Sequence, residues 1–401
     1  MTGQRHCCDT ETQRNREEKV GSGACSIGFC DFSASLCLCV ASAIVGRRRS
    51  PVSLLESAEE RFMKPPADAI IAVTHRCNAR CVMCNVWKST EQDLLLPEHL
   101  GKLPPGLATI NLSGGEPFLR YDLPEFVRQA RARCPKARIT ISTNAYCTGR
   151  IVEMMDRIRR IDPGVRLSVS LDAVGDAHDA IRGGEGFFAG VLSLIEQLVG
   201  RGFRGLRLSM TISGENLDEF LSVAQLAERL GLEVGVVAAH GARTHLGIDR
   251  PPEGPIPDSL ARDFGQVLSR WLRSWTIKQW FRAHFAHHTY RYLTKQRWRF
   301  RCHAGEDFFF LQADGTVYSC SVQGRPMGNL LRLDWQDIWQ GPASDDARRF
   351  VGLCRESCWM ICTARSVYRV HRLKVIAWVL WHKLLAHLGL LAMPSPPPKG
   401  N

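Results

Sequence analysis

Between residues 66 and 240, short β-prone runs alternate with amphipathic helical stripes, and that alternation restricts the chain to a parallel α/β fold. The strand candidates are 68–73, 107–112, 138–142, 166–171, 206–211 and 233–238. Leu123, Phe126, Val127 and Ala130 share one helix face, as do Ile151, Met154, Met155 and Ile158. Phe187, Val191, Leu194, Ile195 and Leu198 repeat the spacing, and Leu217, Phe220, Leu221 and Ala224 repeat it again. Such stripes are the faces by which helices bury themselves on a sheet. In parallel α/β folds ligands collect at the carboxyl ends of the strands, so the chemistry is sought there.

The first candidate strand leads directly to Cys77, Cys81 and Cys84, spaced Cys-x3-Cys-x2-Cys. Thiolates are soft ligands suited to iron–sulfur clusters, and a tight loop turns three of them to one face of a cluster. Three ligands on a four-iron cluster leave one iron open to bind and activate something else. A zinc knuckle or three unrelated thiols are the alternatives. Zinc sites usually show paired Cys-x2-Cys or Cys/His sets, and no matched pair lies nearby. The triplet resembles the Cys-x3-Cys-x-φ-Cys signature of the radical S-adenosylmethionine (SAM) enzymes, with Met83 where an aromatic residue is commoner. The resemblance implies a partial (β/α)6 TIM-like barrel. It also implies a [4Fe–4S] cluster on Cys77, Cys81 and Cys84, with SAM chelated by the open iron.

The strand ends extend the resemblance. Ser113 is followed by Gly114, Gly115, Glu116 and Pro117, similar to the family's Gly-Gly-Glu-Pro, which holds the SAM amino group. Ser142, Thr143, Asn144 and Ala145 are similar to Ser-Thr-Asn-Gly, with alanine in place of glycine. Ser170, Leu171, Asp172 and Ala173, followed by His178-Asp179 and Ile181-Arg182-Gly183, are similar to Ser-Leu-Asp-Gly…His-Asp…Ile-Arg. By that likeness Ser170 and Asp172 contact the ribose and Arg182 pairs with the SAM carboxylate. Helix capping is the plainer reading of Ser142 and Asp172. Val236 and Ala238 would flank adenine, and Cys134 and Cys147 read as ordinary semi-buried thiols.

Prolines 251, 252, 255 and 257 mark a boundary, after which no acidic residue occurs between Asp263 and Glu306. That stretch interleaves nine Lys and Arg residues with Trp271, Trp275, Trp280 and Trp298. Trp271 and Trp275, four apart, would share a helix face. A helix packed on the barrel is the default, and an anionic substrate is the sharper reading. No RNA-binding module signature accompanies the charge, so nucleic acid is not expected. His284, His287 and His288 read as surface or core histidines.

A second cysteine set follows: Cys302, Cys320, Cys354, Cys358 and Cys362. Asp314-Gly315 sets a hairpin turn between β-prone arms. The Cys-x12-Gly-x4-Cys spacing resembles the start of a SPASM/twitch extension, which binds auxiliary iron–sulfur clusters. Five cysteines suffice for one auxiliary [4Fe–4S] cluster and not for two. Cys302, Cys320 and Cys362 are the firmer ligands, Cys354 and Cys358 compete for the fourth place, and structural zinc is the alternative. In sulfatase-maturing relatives an aspartate follows the cysteine matching Cys320; here Ser321 stands there, which disfavours formylglycine formation.

Residues 1–62 read as a disordered leader or an over-extended gene start, with an apolar run from Ala24 to Val45 ending at Arg47-Arg48-Arg49. The expected organisation continues with the barrel over 63–250, a basic helical connector over 251–301 and a small cysteine-rich α+β auxiliary-cluster domain over 302–363. A basic amphipathic helix with a Pro-rich end completes it over 364–401. Clustered cysteines in a long enzyme-like chain point to metal binding in a reducing, cytoplasmic compartment. The tail helix packs on the protein by default or docks on an anionic membrane surface. The resemblance implies reductive cleavage of SAM to a 5′-deoxyadenosyl radical, hydrogen abstraction from a peptide or carbohydrate-like substrate, and a reductant such as flavodoxin or ferredoxin. A non-catalytic iron–sulfur or zinc scaffold is the competing class, and it has no use for the strand-end motifs.

Overall fold

The computed structural model describes residues 64–296, 300–356 and 358–394. The expectations over 1–62, at Trp298 and at the Pro-rich end lie outside them. Six parallel strands follow one another across the sheet: β1 (Asp68–Thr74), β2 (Thr109–Gly114), β3 (Arg138–Thr143), β4 (Arg166–Ser170), β5 (Leu206–Ile212) and β6 (Val234–Ala238). Between them run α1 (Leu123–Arg133), α2 (Thr148–Ile161), α3 (Asp176–Arg182), α4 (Phe187–Gly200) and α5 (Phe220–Arg229). The helical stripes read from the sequence are the buried faces, with Phe126, Val127, Met155, Ile158, Val191 and Leu194 all shielded from solvent. Each unit is a strand, a helix and a return to the next parallel strand, the build of an open α/β barrel.

After a four-residue turn of helix, α6 (Arg243–Leu246), the connector folds as α7 (Ser259–Arg273) and α8 (Ile277–Leu293). Leu260, Phe264, Val267, Leu268 and Leu272 bury one side of α7, each contributing about 1.5–3 kcal/mol. Trp275 corrects the expected face-sharing with Trp271. It stands beyond the last turn of α7, where Ser274 ends the helix in extended conformation, and is 91% exposed. The connector's cations are largely spoken for: Arg270 pairs with Glu228, and Lys278 and Arg282 with Glu233. His284, His287 and His288 are buried in ring contact with one another and with Trp378.

The C-terminal strands add to the barrel's own sheet. β7 (Phe308–Leu311) pairs parallel with β1, in register from Asp68 opposite Phe308 to Ile71 opposite Leu311. β8 (Thr316–Tyr318) returns antiparallel through the Asp314-Gly315 turn, and β9 (Pro326–Asn329) pairs antiparallel with β8. The resulting sheet runs β6-β5-β4-β3-β2-β1-β7-β8-β9, so the hairpin covers an edge of β1 that would otherwise be open. The described residues all fall in one compact unit. Helices α9 (Trp335–Gln340), α10 (Pro342–Leu353), α11 (Ile361–Val370) and α12 (Arg372–His387) complete it. Arg369 of α11 reaches Asp68 at 2.7 Å and Asp307 at 3.0 Å, clamping the amino ends of β1 and β7. No helix among the described residues is long and apolar enough to cross a membrane.

Candidate functional site

β1 ends at Thr74 and the chain turns into the cysteine loop, which backbone groups pin from two sides. On one side Gly115 N–H donates to Thr74 O at 2.8 Å and Glu116 N–H to Arg76 O at 2.9 Å. On the other, Arg80 N–H donates to Arg182 O at 2.9 Å and Val82 N–H to Ile181 O at 3.0 Å. Contacts this close leave no room for side chains. A Cβ would lie 2.3 Å from Thr74 O at Gly114, 2.1 Å from Arg76 O at Gly115 and 2.4 Å from Arg80 O at Gly183. The glycines of two motifs, far apart in sequence, therefore shape one loop.

Burial pushes the Cys77 thiol up to about 12 and the Cys84 thiol to about 11, with the neighbouring thiols of the triplet adding to each. Cys81 is raised too by burial, although the Arg182 guanidinium opposes it, Nη1 lying 3.7 Å from Cys81 Sγ. Crowded, desolvated thiols become thiolates when a cation sits among them, the condition that bound iron meets. No group of three or more His, Cys, Asp or Glu side chains among the described residues converges closely enough for one metal ion.

Around that loop the strand ends lock together. Glu116 is fully buried and accepts from Asn144 N–H at 2.7 Å, Thr143 Oγ1 at 2.9 Å and Phe118 N–H at 3.2 Å. Burial pushes its carboxyl up to about 7 against those donors. Its oxygens join the end of β2 to β3, and Pro117 opens the turn that follows. Asn144 donates to Asn78 Oδ1 at 2.8 Å, tying β3 to the cysteine loop. Ser142 is half-buried, 3.5 Å from Asn111 Oδ1, and Ser170 is half-buried at the end of β4. Met83 packs with Ala173, Ile181, Ala239 and Cys81.

Asp172, expected at the ribose, is wholly buried. It pairs with Arg182 at 2.6 Å and accepts from Thr211 N–H at 2.8 Å. His178 Nδ1 accepts from Asp172 N–H at 3.0 Å, and burial pushes this imidazole down to about 3, keeping it neutral. Arg182 Nε is buried and lacks a hydrogen-bond partner among the described residues. An orphaned guanidinium donor beside the cysteine loop is what a ligand carboxylate would satisfy.

The second set of cysteines lines a cavity of about 660 Å³: Cys302, Cys320, Cys354, Cys358 and Cys362, with Met360 and Phe308 among its apolar walls. Burial pushes Cys302 and Cys362 up to about 12 and raises Cys320 and Cys358. Cys354 is exposed. Cys358 also lines a larger cleft of about 1410 Å³, walled by the carboxyl ends of β5 and β6 and the proline segment 251–256. His240 bridges the two regions. Its Nδ1 bonds Ala238 O at 2.7 Å, its Nε2 accepts from Trp359 N–H at 3.2 Å, and its ring stacks on Tyr292.

Sequence reasoning missed Asp93, which accepts from His75 N–H at 2.7 Å and from Thr74 Oγ1, bracing the start of the loop. It also missed His240. Neither belongs to a repeated stripe or a spaced motif, and no local signal marks them.

Residues 71–227 match the family described as the Radical SAM superfamily, and residues 302–363 match SPASM, an iron–sulfur cluster-binding domain. Among curated relatives, the mycofactocin maturase MftC of Mycobacterium tuberculosis is 31% identical over 215 residues, covering 51% of this chain and 53% of that protein. A probable GTP 3′,8-cyclase of Metallosphaera sedula is 26% identical over 183 residues, covering 43% of this chain and 56% of that protein. The chain thus spans little more than half the length of these relatives. The solved structure of Streptococcus suis SuiB bound to S-adenosylmethionine aligns with TM-score 0.52 at 14% identity, covering 76% of this chain and 74% of that one. That of anSMEcpe with bound AdoMet and Cp18Cys peptide aligns with TM-score 0.55 at 12% identity, covering 79% and 99%. At these identities the likeness is one of fold. The cofactors that follow from the two matched families are SAM, the [4Fe–4S] cluster that binds it, and auxiliary iron–sulfur. With its cysteine loop, strand-end motifs and C-terminal cysteine cavity in one sheet-bound frame, the chain carries a radical SAM domain over residues 71–227 and a SPASM domain over residues 302–363.

Proposed function

We propose that this chain is a radical SAM enzyme that oxidatively modifies a peptide held in the cleft between the barrel mouth and the auxiliary cavity. The cleft's size carries the reading. At about 1410 Å³ it exceeds the usual 300–1,000 Å³ of small-molecule pockets and suits an extended chain. SuiB bound to its precursor peptide SuiA and anSMEcpe with its Cp18Cys peptide point the same way. Cys77, Cys81 and Cys84 hold the SAM cluster. Cys302, Cys320, Cys358 and Cys362 hold the auxiliary cluster, with Cys354 at its outer rim. Bound, these groups supply one-electron cleavage of SAM, hydrogen abstraction and a place for the substrate's electron. A flavodoxin or ferredoxin supplies the first electron.

The chain's own residues position and exclude. Gly114, Gly115 and Gly183 admit the cysteine loop to the barrel mouth, and Met83 closes an apolar wall beside Cys81. Asp172 holds Arg182 charged, leaving its Nε for the SAM carboxylate, while Ser142, Asn144 and Ser170 face the nucleoside from the ends of β3 and β4. Cys358 belongs to both cavities, so it brings the auxiliary cluster to the substrate's side of the cleft.

The test is deuterium transfer into 5′-deoxyadenosine from a deuterated extract of the source organism, before and after exhaustive peptidase digestion. Label that disappears with digestion is the expected result. Label that persists in the digested, small-molecule fraction would overturn the peptide reading in favour of a carbohydrate or other small substrate.

A further inference from the structure

The outward side of α12 is apolar as well as its inward side. Val375, Val379 and Ala386 face the protein, as a packed helix requires. Opposite them Leu373, Leu380, Trp381, Leu384 and Leu388 stand 78%, 60%, 58%, 50% and 60% exposed, spaced along one stripe at helical intervals. A helix apolar on every side is normally buried on every side. The stripe is widened by a neighbour: Lys383 donates to Leu272 O at 2.7 Å and Ser274 O at 3.0 Å. Its ammonium lies 5.7 Å from the ring of Trp275, the most exposed large apolar side chain among the described residues, and Ile277 follows at 61% exposed.

Charge selects the partner. The stripe is built from two stretches, 264–305 and 357–401, neither of which contains an aspartate or glutamate. Arg372 and Lys374 flank it, both exposed and without an ion-pair partner among the described residues. A second copy laid on this face would bring cation against cation with no acid to meet them. Tryptophan with leucine in the middle and arginine and lysine at the edges is the pattern of a helix lying in the headgroup layer of an anionic bilayer. We propose that α12, with the Trp275 corner, docks this enzyme flat on an anionic phospholipid surface, an interaction separate from the catalytic cleft and independent of the peptide reading. At 1.5 Å per residue the helix gives a footing about 24 Å long.

The experiment is flotation of the full-length, cluster-loaded protein with vesicles of phosphatidylglycerol and phosphatidylcholine, against phosphatidylcholine alone, at low and high salt. The expected result is binding about tenfold or more tighter to the anionic vesicles, with a blue shift of tryptophan emission. Leu380→Ser/Trp381→Ser/Leu384→Ser should weaken it at least about tenfold, and Arg372→Gln/Lys374→Gln should remove most of the salt-sensitive part. Both variants should keep wild-type iron content and SAM cleavage, since none of these residues touches either cysteine set. Absence of wild-type binding at millimolar lipid overturns the proposal. A monomer-to-dimer equilibrium abolished by the triple variant would assign the stripe to a second copy instead. Vesicle binding that appears only after residues 1–62 are removed would assign it to that segment.

Discussion

Gly183 and Gly186 offer a matched pair in which conformation is held constant and only contact differs. Both have left-handed backbone, φ +75° and +85°, so alanine at either costs about 1 kcal/mol in torsional strain. Around Gly186 nothing lies within 4 Å of an added Cβ, whereas at Gly183 the new atom meets Arg80 O at 2.4 Å. To escape, the loop must move away from α3, weakening the Arg80 N–H and Val82 N–H bonds to Arg182 and Ile181, at about 1 kcal/mol each. Gly183→Ala should therefore cost about 3 kcal/mol locally against about 1 for Gly186→Ala. The difference lowers the population of the cluster-ready loop by about thirtyfold. The assay is iron and labile sulfide per chain after anaerobic reconstitution, followed by timed exposure to a chelator. Wild type and Gly186→Ala should hold about eight irons, and Gly183→Ala about four, those of the auxiliary site. If Gly183→Ala keeps all its iron and resists the chelator like Gly186→Ala, the glycine contact is not what presents Cys81.

Three further outcomes are expected. Cys358→Ala should lose about four irons while Cys354→Ala, at the exposed rim, keeps them; iron analysis of the two variants decides, and the reverse pattern would move the fourth ligand to Cys354. His284 and His287 are pushed by burial down to about 3, and His288 well below its ordinary value, so the unfolded chain binds more protons than the folded one as pH falls below 6.5. These three should together contribute about 2 kcal/mol to the loss of stability between pH 7.5 and 6, a loss to which the other buried imidazoles such as His178 and His240 add, and His287→Gln should recover about 0.8 kcal/mol of it, read from urea midpoints by tryptophan emission. Ala145 occupies a left-handed backbone with φ +66°, a conformation that favours glycine, so Ala145→Gly should leave the thermal midpoint unchanged or raise it, against the usual cost of such a change.

The barrel was legible because its signals are local and repeated. Stripes such as Leu123, Phe126, Val127 and Ala130 announce their burial within eleven residues, and the observed strands begin or end within two residues of the expected limits. The motif glycines were legible as a pattern, but what they do was not: that Gly115 faces Arg76 and Gly183 faces Arg80 is a fact about chain segments dozens of residues apart. Likewise Glu116 and Asp172 read as ligand-facing carboxylates, whereas the fold surrounds Glu116 with donors from its own turn and β3, and Asp172 with Arg182 and Thr211. Buried carboxylates need such partners wherever they sit, and sequence spacing does not say which. Trp275 was misplaced by a single helix end, two residues short of the assumed turn. The pairing of β7 with β1 left no trace in composition, since a parallel partner is chosen by geometry at long range.

That pairing sets a timetable for the protein's synthesis. β1 meets β2 about forty residues after it leaves the ribosome, but β7 follows only about 240 residues behind β1. At 5–20 residues per second the outer edge of Asp68–Ile71 waits for about 10–50 seconds with its backbone groups unmatched. Gly183, which completes the seat of the cysteine loop, emerges near the middle of that interval. The nascent chain can therefore shape its first metal-binding loop before the second cysteine set exists, while the strand that carries the loop still has a bare flank. An N-terminal fragment ending at residue 301 would keep that flank for good, and is the form of this protein most exposed to strand-to-strand aggregation.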